Sequence, residues 1–268
     1  MSTPPRHPEH PRRPGELLFE TRRAIFLASG LCLAVLLLWG LEGLPDWRSF
    51  TPVYGQLIND VAVEERSTTD VVTAVNFDYR GFDTLGEEFI LFAAVIGLML
   101  LLREQRDEFE GPVDDDAPER TSPPTSAAIW LAVLLLAPAT VLLSIYITAH
   151  GHLTPGGGFQ GGVVAATALL LVYLGGDYVA MRRVRPLTLV TAAKASGAAA
   201  FVLIGIAGLI TGAAFLENLL PVGIPGELIS SGSIPLLSFA VGLEVAGGFV
   251  LILSEFLNQL LVIRWRRE

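Results

Sequence analysis

Residues 80–102 of the chain have the sequence RGFDTLGEEFILFAAVIGLMLLL, a charged segment followed directly by 14 uncharged residues from Phe89 to Leu102. At ~1.5 Å per residue, that uncharged run covers about 21 Å of helix, whereas a hydrocarbon core of ~30 Å requires roughly 20 residues. A helix that spans the bilayer here must therefore include upstream residues, among them Glu88, Glu87 and Asp83. We expect at least one of these carboxylates at membrane depth.

A carboxylate at this position has two interpretations. Intramembrane acids are costly, usually face protein or water, and commonly belong to ion pathways. Acids in the first turn of a helix are also favoured simply because they interact with the helix dipole. The spacing alone leaves both interpretations open.

The composition is typical of a membrane protein rather than of a soluble domain. Hydrophobic residues make up 51% of the 268 residues and charged residues only 17%, and the mean hydropathy is +0.54. The net charge of −9 is concentrated in loops and tails. We find no basic, aromatic-interleaved patch, so no nucleic acid partner is expected. No metal-ligand cluster, nucleophile with a base or nucleotide motif is visible, so we expect no cofactor and no free-standing enzyme.

The apolar runs predict an all-α polytopic membrane protein with about six spanning helices, arranged as two plus four. The predicted spans are approximately Ala24–Leu41, Phe89–Leu102, Ala127–Ala149, Phe159–Gly176, Leu187–Phe215 and Pro235–Ile263. Between the first two spans, residues 42–70 are polar, and Pro45 and Pro52 predict an absence of regular structure there.

Four segments follow from this pattern. We predict a disordered tail over residues 1–21, a two-helix module over 22–103, an acidic, proline-rich linker over 104–126 and a four-helix module over 127–268. Fourteen of the 18 lysine and arginine residues fall in the tail, the linker and the other segments on the same side. By the positive-inside rule, both termini are then cytoplasmic, and the protein is expected in the cell membrane.

Two further charges lie inside predicted spans. Lys194 is about 12 Å in from the cytoplasmic side and Glu244 about 13 Å in from the outer side, so the two can meet near the midplane. Such a pair would lower the desolvation cost of each charge. Alternatively, Lys194 extends toward the interface and Glu244 faces a neighbouring subunit.

The glycines of the segment TPGGGFQGG also require an explanation. We expect unusual backbone angles in a tight turn at the first three glycines, and a close helix approach at the last two. A phosphate-binding loop is disfavoured because no lysine follows the glycines and no strand precedes them. The candidate packing residues are Pro155, Gly156, Gly157, Gly158, Phe159, Gly161 and Gly162.

Two motifs resemble known families. The segment FDYRGFDTLGEEFILFAAVIGLMLL resembles the RGFDTLGE motif at the C-terminal end of the large subunit of Mrp-type (Mnh) cation/proton antiporters and in small MbhE-like subunits of membrane-bound hydrogenases. The segment HLTPGGGFQGGVVAATALLL, with four spans and a late IPLLSFAVGLEVAGG, resembles the MnhB/MrpB subunit family. The resemblance covers residues 24–102 and 127–266, so the protein looks like an MnhB-type chain with an MbhE-like front module.

The resemblance implies a role beside pumping subunits in a cation route. The motif residues are Arg80, Gly81, Phe82, Asp83, Thr84, Leu85, Gly86 and Glu87, and a transient Na+ is implied at Asp83 and Glu87. Glu88 stands where relatives more usually have an apolar residue, which leaves open which glutamate points inward. Relatives often have lysine near the position of Glu244, and this reversal of charge leaves the family role of that site open.

The leading hypothesis is therefore a membrane subunit of a multi-subunit Na+/H+ antiporter, with Asp83, Glu87, Glu88, Lys194 and Glu244 as ion-translocation candidates. The expected partners are large pumping subunits, small membrane subunits, the lipid bilayer, Na+ and H+. One alternative is a membrane-arm subunit of a membrane-bound hydrogenase or a related redox-driven ion pump. Another is a purely structural scaffold subunit.

Overall fold

The structure is a computed structural model that describes residues 14–44, 53–102, 125–176 and 178–265. Within these ranges the regular secondary structure is helical, and six helices are long and apolar enough to cross a membrane. The all-α, polytopic prediction is thus confirmed, while the cytoplasmic placement of the termini stays a prediction. The α-helices are α1 (Pro14–Glu42), α2 (Val53–Arg66), α3 (Val71–Ala74), α4 (Gly81–Leu102), α5 (Ala127–Ala149), α6 (Gly158–Gly175), α7 (Tyr178–Val184), α8 (Leu187–Ile210) and α9 (Ile234–Trp265).

Internal contacts divide the chain into two units, residues 1–53 and 54–268. The first unit contains α1, whose side chains from Glu20 onward are exposed and mostly apolar. A helix that is apolar all round is typical of a membrane span. The second unit contains α4 together with α5 to α9, whereas the sequence analysis placed α4 in the front module with α1. The predicted module boundaries themselves stay a prediction.

Helix α9 is the centre of the second unit and packs against α4, α5, α6 and α8. Its buried side chains include Leu237, Val241 and Val245, which join Phe77 and Phe201 in one apolar cluster. The rings of Phe77 and Phe201 lie 6.4 Å apart. The segment before α4 is therefore part of the same core as α6, α8 and α9.

Close helix approaches explain most of the glycines that the sequence singled out. A Cβ atom on Gly162 would lie 2.7 Å from the Cβ of Val245, and one on Gly158 would collide with the carbonyl of Ser238. Small residues at such positions let helix backbones approach closely. Of Gly156, Gly157 and Gly158, Gly157 alone has the expected unusual backbone angle, with φ at +121°. Gly156 is instead required by its contact with the carbonyl of Ile147.

The predicted absence of regular structure between the first two spans is wrong. Helix α2 has 14 residues and begins directly after Pro52 in the sequence. Proline is compatible with the first turn of a helix, where its missing N–H has no intrahelical partner anyway. Ile58 and Ala62 lie one turn apart and are both buried, so packing of this face stabilises the helix.

The predicted fifth span is too long by five residues. Helix α8 ends at Ile210, and Gly212 then adopts a φ of +80°, a conformation common just after a helix C-terminus. The chain turns back along α8, where Ala213 N donates to Gly208 O at 3.0 Å and Leu216 N donates to Gly205 O at 3.3 Å. The last residues of the predicted span thus pack on α8 instead of extending it.

Connecting segments meet at the end of the bundle where α4 and α9 begin. The backbone N–H groups of Thr69 and Asp70 both donate to His152 O, at 3.1 and 3.2 Å. Ser67 Oγ donates to Gly223 O at 3.1 Å, and Ser231 Oγ donates to Ser67 O at 3.0 Å. These bonds join the segment before α4 to the α5–α6 and α8–α9 connections.

Candidate ion-translocation site

Three ionisable side chains from three helices meet inside the second unit. They are Glu88 of α4, Lys194 of α8 and Glu244 of α9, with 4%, 4% and 0% of their surface exposed. Glu88 lies seven residues into α4 and Glu244 ten residues into α9, which corresponds to about 10 Å and about 15 Å of helix. Both helices begin at the same end of the bundle, so Glu88 and Glu244 lie at similar depths. We define Glu88, Lys194 and Glu244 as the charged cluster.

Local sequence explains why Glu88 points inward. The buried residues of α4 are Gly81, Thr84, Glu88 and Val95, which follow the spacing of a single helix face. Gly81 contacts Leu216, and the γ-methyl of Val95 lies 3.3 Å from the Cβ position of Gly248. This face of α4 packs on α8 and α9, so Glu88 is directed into the bundle.

Two glycines place the other members of the cluster side by side. A Cβ on Gly197 of α8 would lie 2.6 Å from Glu244 N, and a Cβ on Gly247 of α9 would lie 2.9 Å from Lys194 N. Each glycine therefore lets one helix approach the backbone of the other at the level of a charged residue. The positions of Lys194 and Glu244 depend on this close contact.

The hydrogen bonding of the cluster is incomplete. Lys194 Nζ donates to Phe92 O at 3.3 Å and lies 3.9 Å from the centre of the Phe92 ring. The carboxyl groups of Glu88 and Glu244 are adjacent, and Glu244 interacts electrostatically with Lys194. Within the described residues, no N–H or O–H group donates to either carboxyl oxygen of Glu244 or to Oε2 of Glu88, and the two adjacent carboxyl groups can hydrogen-bond to each other only when one of them is protonated. Buried acids in this state are rare and energetically costly.

The predicted proximity of Lys194 and Glu244 is therefore present in the structure, with Glu88 as a third member. The ammonium group donates to a main-chain carbonyl, and among the described side chains it forms no direct ion pair with Glu244. In the absence of that pair, packing alone does not explain why three ionisable groups occupy the interior. Intramembrane charges of this kind commonly occur in ion and proton pathways.

Asp83 and Glu87 lie on the other side of α4. Both side chains are exposed on this chain, and they share one helix face because they are four residues apart. Asp83 forms an ion pair with Arg80, whose side chain is also exposed. No group of three or more metal-ligating side chains occurs in the described part of the chain. The Na+ site implied at Asp83 and Glu87 stays a prediction, and its remaining ligands would have to come from water or another chain.

The motif containing these acids follows a break in the helix. Residues 75–79 form a π-helical turn, which ends at Arg80 with φ at −131° and ψ at 31°. Thr84 Oγ1 donates to Asn76 O at 2.6 Å and thereby bridges the break. Phe82 packs edge-on against Phe215, while Gly86 has open space around it. π-Helical turns occur frequently at functional sites.

The sequence analysis missed the role of Asp78. Its carboxylate accepts hydrogen bonds from Arg66 Nε at 2.7 Å and from Asn218 Nδ2 at 3.1 Å. Burial alone would lower the pKa of Arg66, but the adjacent Asp78 carboxylate raises it above its ordinary value. Asn218 Oδ1 in turn accepts from Ser233 N at 2.8 Å. The acidic residue in FDYRGFD that precedes the motif was the available signal.

Two more titratable groups lie at this end of the bundle. Burial, together with a 2.8 Å hydrogen bond from the Tyr79 hydroxyl to Glu65, raises the pKa of Tyr79 to about 12. Burial lowers the pKa of His152, and the nearby carbonyls of Glu227 and Leu228 partly oppose that effect. Asp78, Tyr79 and His152 thus all lie outside the spanning segments, at the end of the bundle where α4 and α9 begin.

Comparison with known families gives a match over the C-terminal spans. Residues 129–251 match the model of a domain related to the MnhB subunit of the Na+/H+ antiporter. An uncharacterized protein of Methanocaldococcus jannaschii is 32% identical over 214 residues, which cover 71% of this chain and 78% of that protein. An Na(+)/H(+) antiporter subunit of Alkalihalophilus pseudofirmus is 39% identical over 75 residues, which are 28% of this chain and 51% of that protein. This chain therefore matches about half the length of the Alkalihalophilus protein.

Two solved structures resemble most of the chain. A chain of the membrane-bound sulfane sulfur reductase, an archaeal respiratory membrane complex, has a TM-score of 0.65 and 31% identity, with 88% of this chain and 98% of that chain covered. A chain of the Mrp complex from Dietzia sp. DQ12-45-1b has a TM-score of 0.62 and 27% identity. That comparison covers 92% of this chain and 26% of the Dietzia chain.

Proposed function

We propose, from the premise that this chain belongs to the family of membrane proteins related to the MnhB subunit of Na+/H+ antiporters, that it is a subunit of an Mrp-type cation/proton antiporter. Its role is to form part of the ion-translocation path and to help assemble the complex. The observation that carries this proposal is the charged cluster, which places three ionisable groups inside a bundle of apolar helices. Its relatives are named as antiporter subunits, so it is a transporter component rather than an enzyme.

The exposed acids of α4 supply the second part of the path. Asp83 and Glu87 face away from the charged cluster, so a cation that contacts them also contacts water or a partner subunit. Two carboxylates one helical turn apart offer several oxygen ligands to a hard cation. The α4 helix therefore separates two sets of acids, one directed outward and one directed into the chain.

The test uses the complete set of subunits, expressed in a host without its own cation/proton antiporters. Omitting this chain should abolish Na+-driven proton movement in membrane vesicles. Exchange that persists without the chain would contradict the proposal. Parallel measurements with K+ identify the cation.

Substitution of Glu87 tests the outward-facing acids. Glu87→Gln should lose Na+-driven exchange while the complex still assembles, because the substitution removes a charge without changing the size of the side chain. Glu64→Gln is the matched control, since Glu64 is an exposed glutamate of α2 that is not part of the motif. Unchanged exchange in the Glu87 variant would reject a role for this residue.

A redox-driven ion pump is the second candidate. The specific observation in its favour is the likeness to a chain of the sulfane sulfur reductase complex, of which 98% is covered. Purification of the native complex and identification of its chains distinguish the two candidates, because partner subunits with clustered cysteines would indicate a redox-driven pump. A scaffold role would be supported if neutral substitutions at all membrane-depth charges left transport intact.

A further inference from the structure

We infer that the charged cluster binds one exchangeable proton, shared by the carboxyl groups of Glu88 and Glu244, and that Lys194 is the counter-ion that positions and tunes this proton. The inference rests on the proposed function and deepens it, since it assigns the proton, and not the alkali cation, to the interior of this chain. The exposed acids Asp83 and Glu87 remain the candidates for the cation.

Charge balance supports a proton rather than a metal cation. With both carboxylates ionised and Lys194 protonated, the cluster carries a net charge of −1, which is costly in a low-dielectric interior. One proton on the carboxyl pair makes the cluster neutral. Two adjacent carboxyl groups that cannot both ionise share a proton in this way.

The ligand set argues in the same direction. Hard cations take about six oxygen ligands, whereas the described groups around the cluster supply two carboxyl groups. The Phe92 carbonyl already accepts a hydrogen bond from Lys194. An alkali cation would have to enter beside a resident ammonium group, which repels it. A proton needs only one of the three carboxyl oxygens that receive no hydrogen bond from another residue's N–H or O–H group.

The other charged groups around the cluster are few. On α4, Glu87 acts electrostatically on Glu88. On α8 and α9, the facing ionisable groups are Lys194 and Glu244 themselves. The proton therefore responds mainly to Lys194, which adds a positive charge, and to Glu87, which adds a negative one. The step is a proton transfer alone, in which an O–H bond forms on one carboxylate and the same proton later leaves to water or a partner group.

The first experiment measures exchange by the reconstituted complex across pH and Na+ concentration. Glu88→Gln and Glu244→Gln should each shift the pH at half-maximal rate by at least about one unit, a tenfold change in proton activity, with the apparent KM for Na+ changed less than about twofold. Lys194→Gln should shift the profile to higher pH, because the cluster holds its proton more tightly without the positive charge. Glu64→Gln is the control with an unchanged profile.

The opposite pattern would overturn the inference. A raised KM for Na+ with an unchanged pH profile would assign the cluster to the cation, and no change in either quantity would assign it a structural role. If single variants do not assemble, the double variant with Lys194→Gln and Glu244→Gln removes opposite charges together and preserves neutrality. This double variant should still exchange, with a pH at half-maximal rate that differs by at least about one unit from that of the unmodified complex, because only Glu88 remains to bind the proton.

A spectroscopic measurement on the unmodified complex gives an independent readout. Infrared difference spectra should contain a protonated-carboxyl C=O band that titrates with pH, shifts in D2O and persists when Na+ is added. The absence of this band, or its loss on addition of Na+, would overturn the inference. These outcomes are separate from the failure of the proposed function, which is tested by omitting the chain.

Discussion

His152 lies at the contact between three segments of the chain. Its main-chain carbonyl accepts two hydrogen bonds from the segment before α4, and its ring is buried beside the carbonyls of Glu227 and Leu228. Burial disfavours protonation of the ring, and His150 acts electrostatically in the same direction. Protonation of His152 therefore affects the contacts between the segment before α4 and the α5–α6 and α8–α9 connections.

We expect acid to destabilise the protein through this residue. Because burial lowers the pKa of His152 below its value of 6.5 in an unfolded chain, the unfolded state binds the proton first as the pH falls. The stabilising contribution is thus present above about pH 6.5 and is lost as the pH falls through the folded value. Thermal unfolding of the purified complex should show this decline, and His152→Gln should reduce it. An undiminished decline in that variant, compared with the unmodified complex, would contradict the assignment.

The sequence predicted the residue types of the candidate site but only part of their arrangement. The short apolar run indicated that acids enter the second span, and α4 does include Asp83, Glu87 and Glu88. The sequence left open whether Glu87 or Glu88 points inward, because Glu87 is the glutamate that occupies the position of the family motif. The structure buries Glu88, and the spacing of Gly81, Thr84 and Glu88 along one face was the physical signal that favoured it. The roles of all these residues remain proposals.

At the scale of elements, the contact between α6 and α9 depends on the absence of side chains. Gly162→Ala should destabilise the protein by about 1–3 kcal/mol, because the added methyl group overlaps the backbone and Val245 and the helices must separate. Gly97→Ala on α4 is the matched control, since no atom lies within 4 Å of its Cβ position. Thermal unfolding of the two variants measures the difference in their stability. Equal stability of the two variants would show that the α6–α9 contact is not as close as described.

The spanning helices were predictable because a run of about 20 apolar residues has few alternatives in a membrane protein. The errors fall where hydropathy carries less information. Hydropathy does not reveal helix α2, and Pro52 favours a break in the sequence pattern, although proline directly before a helix is compatible with it. The fifth span was extended to Phe215 because residues 213–216 are apolar, and hydropathy does not distinguish a helix from a chain that folds back on it. The Thr211–Gly212 pair was the available stop signal.

At the scale of the whole molecule, Asp78 joins the segment before α4 to the α8–α9 connection. Asp78→Ala removes the acceptor for Arg66 and Asn218, and hydrogen bonds that involve a charged group contribute about 1.5–3 kcal/mol. We expect a destabilisation of about 2 kcal/mol, measured by thermal or denaturant unfolding of the purified complex. Asp60→Ala on the exposed side of α2 is the control. If Asp78→Ala has no larger effect than that control, the hydrogen bonds of Asp78 contribute little to the stability of the protein.

The same contacts predict how the chain responds to a cut. Helix α4 and the π-helical turn pack on α8 and α9, and Phe77 and Val95 are buried by that packing. The predicted linker, residues 104–126, lies outside the described residues except for its last two. We therefore expect residues 1–112 and 113–268, expressed together as separate polypeptides, to assemble in the membrane and purify as one particle. Asp78→Ala in the first fragment should weaken that association.

The reason is that burial, and not chain connectivity, holds the two parts together. Burying apolar surface contributes roughly 25 cal/mol per Å2 in water, but between helices in lipid the association depends on close packing and polar contacts. The Phe77–Phe201 contact, the Val95–Gly248 contact and the Asp78 hydrogen bonds supply both kinds of interaction. Fragments that insert into the membrane but do not copurify would show that the linker is required, and that α4 is held by a partner subunit instead.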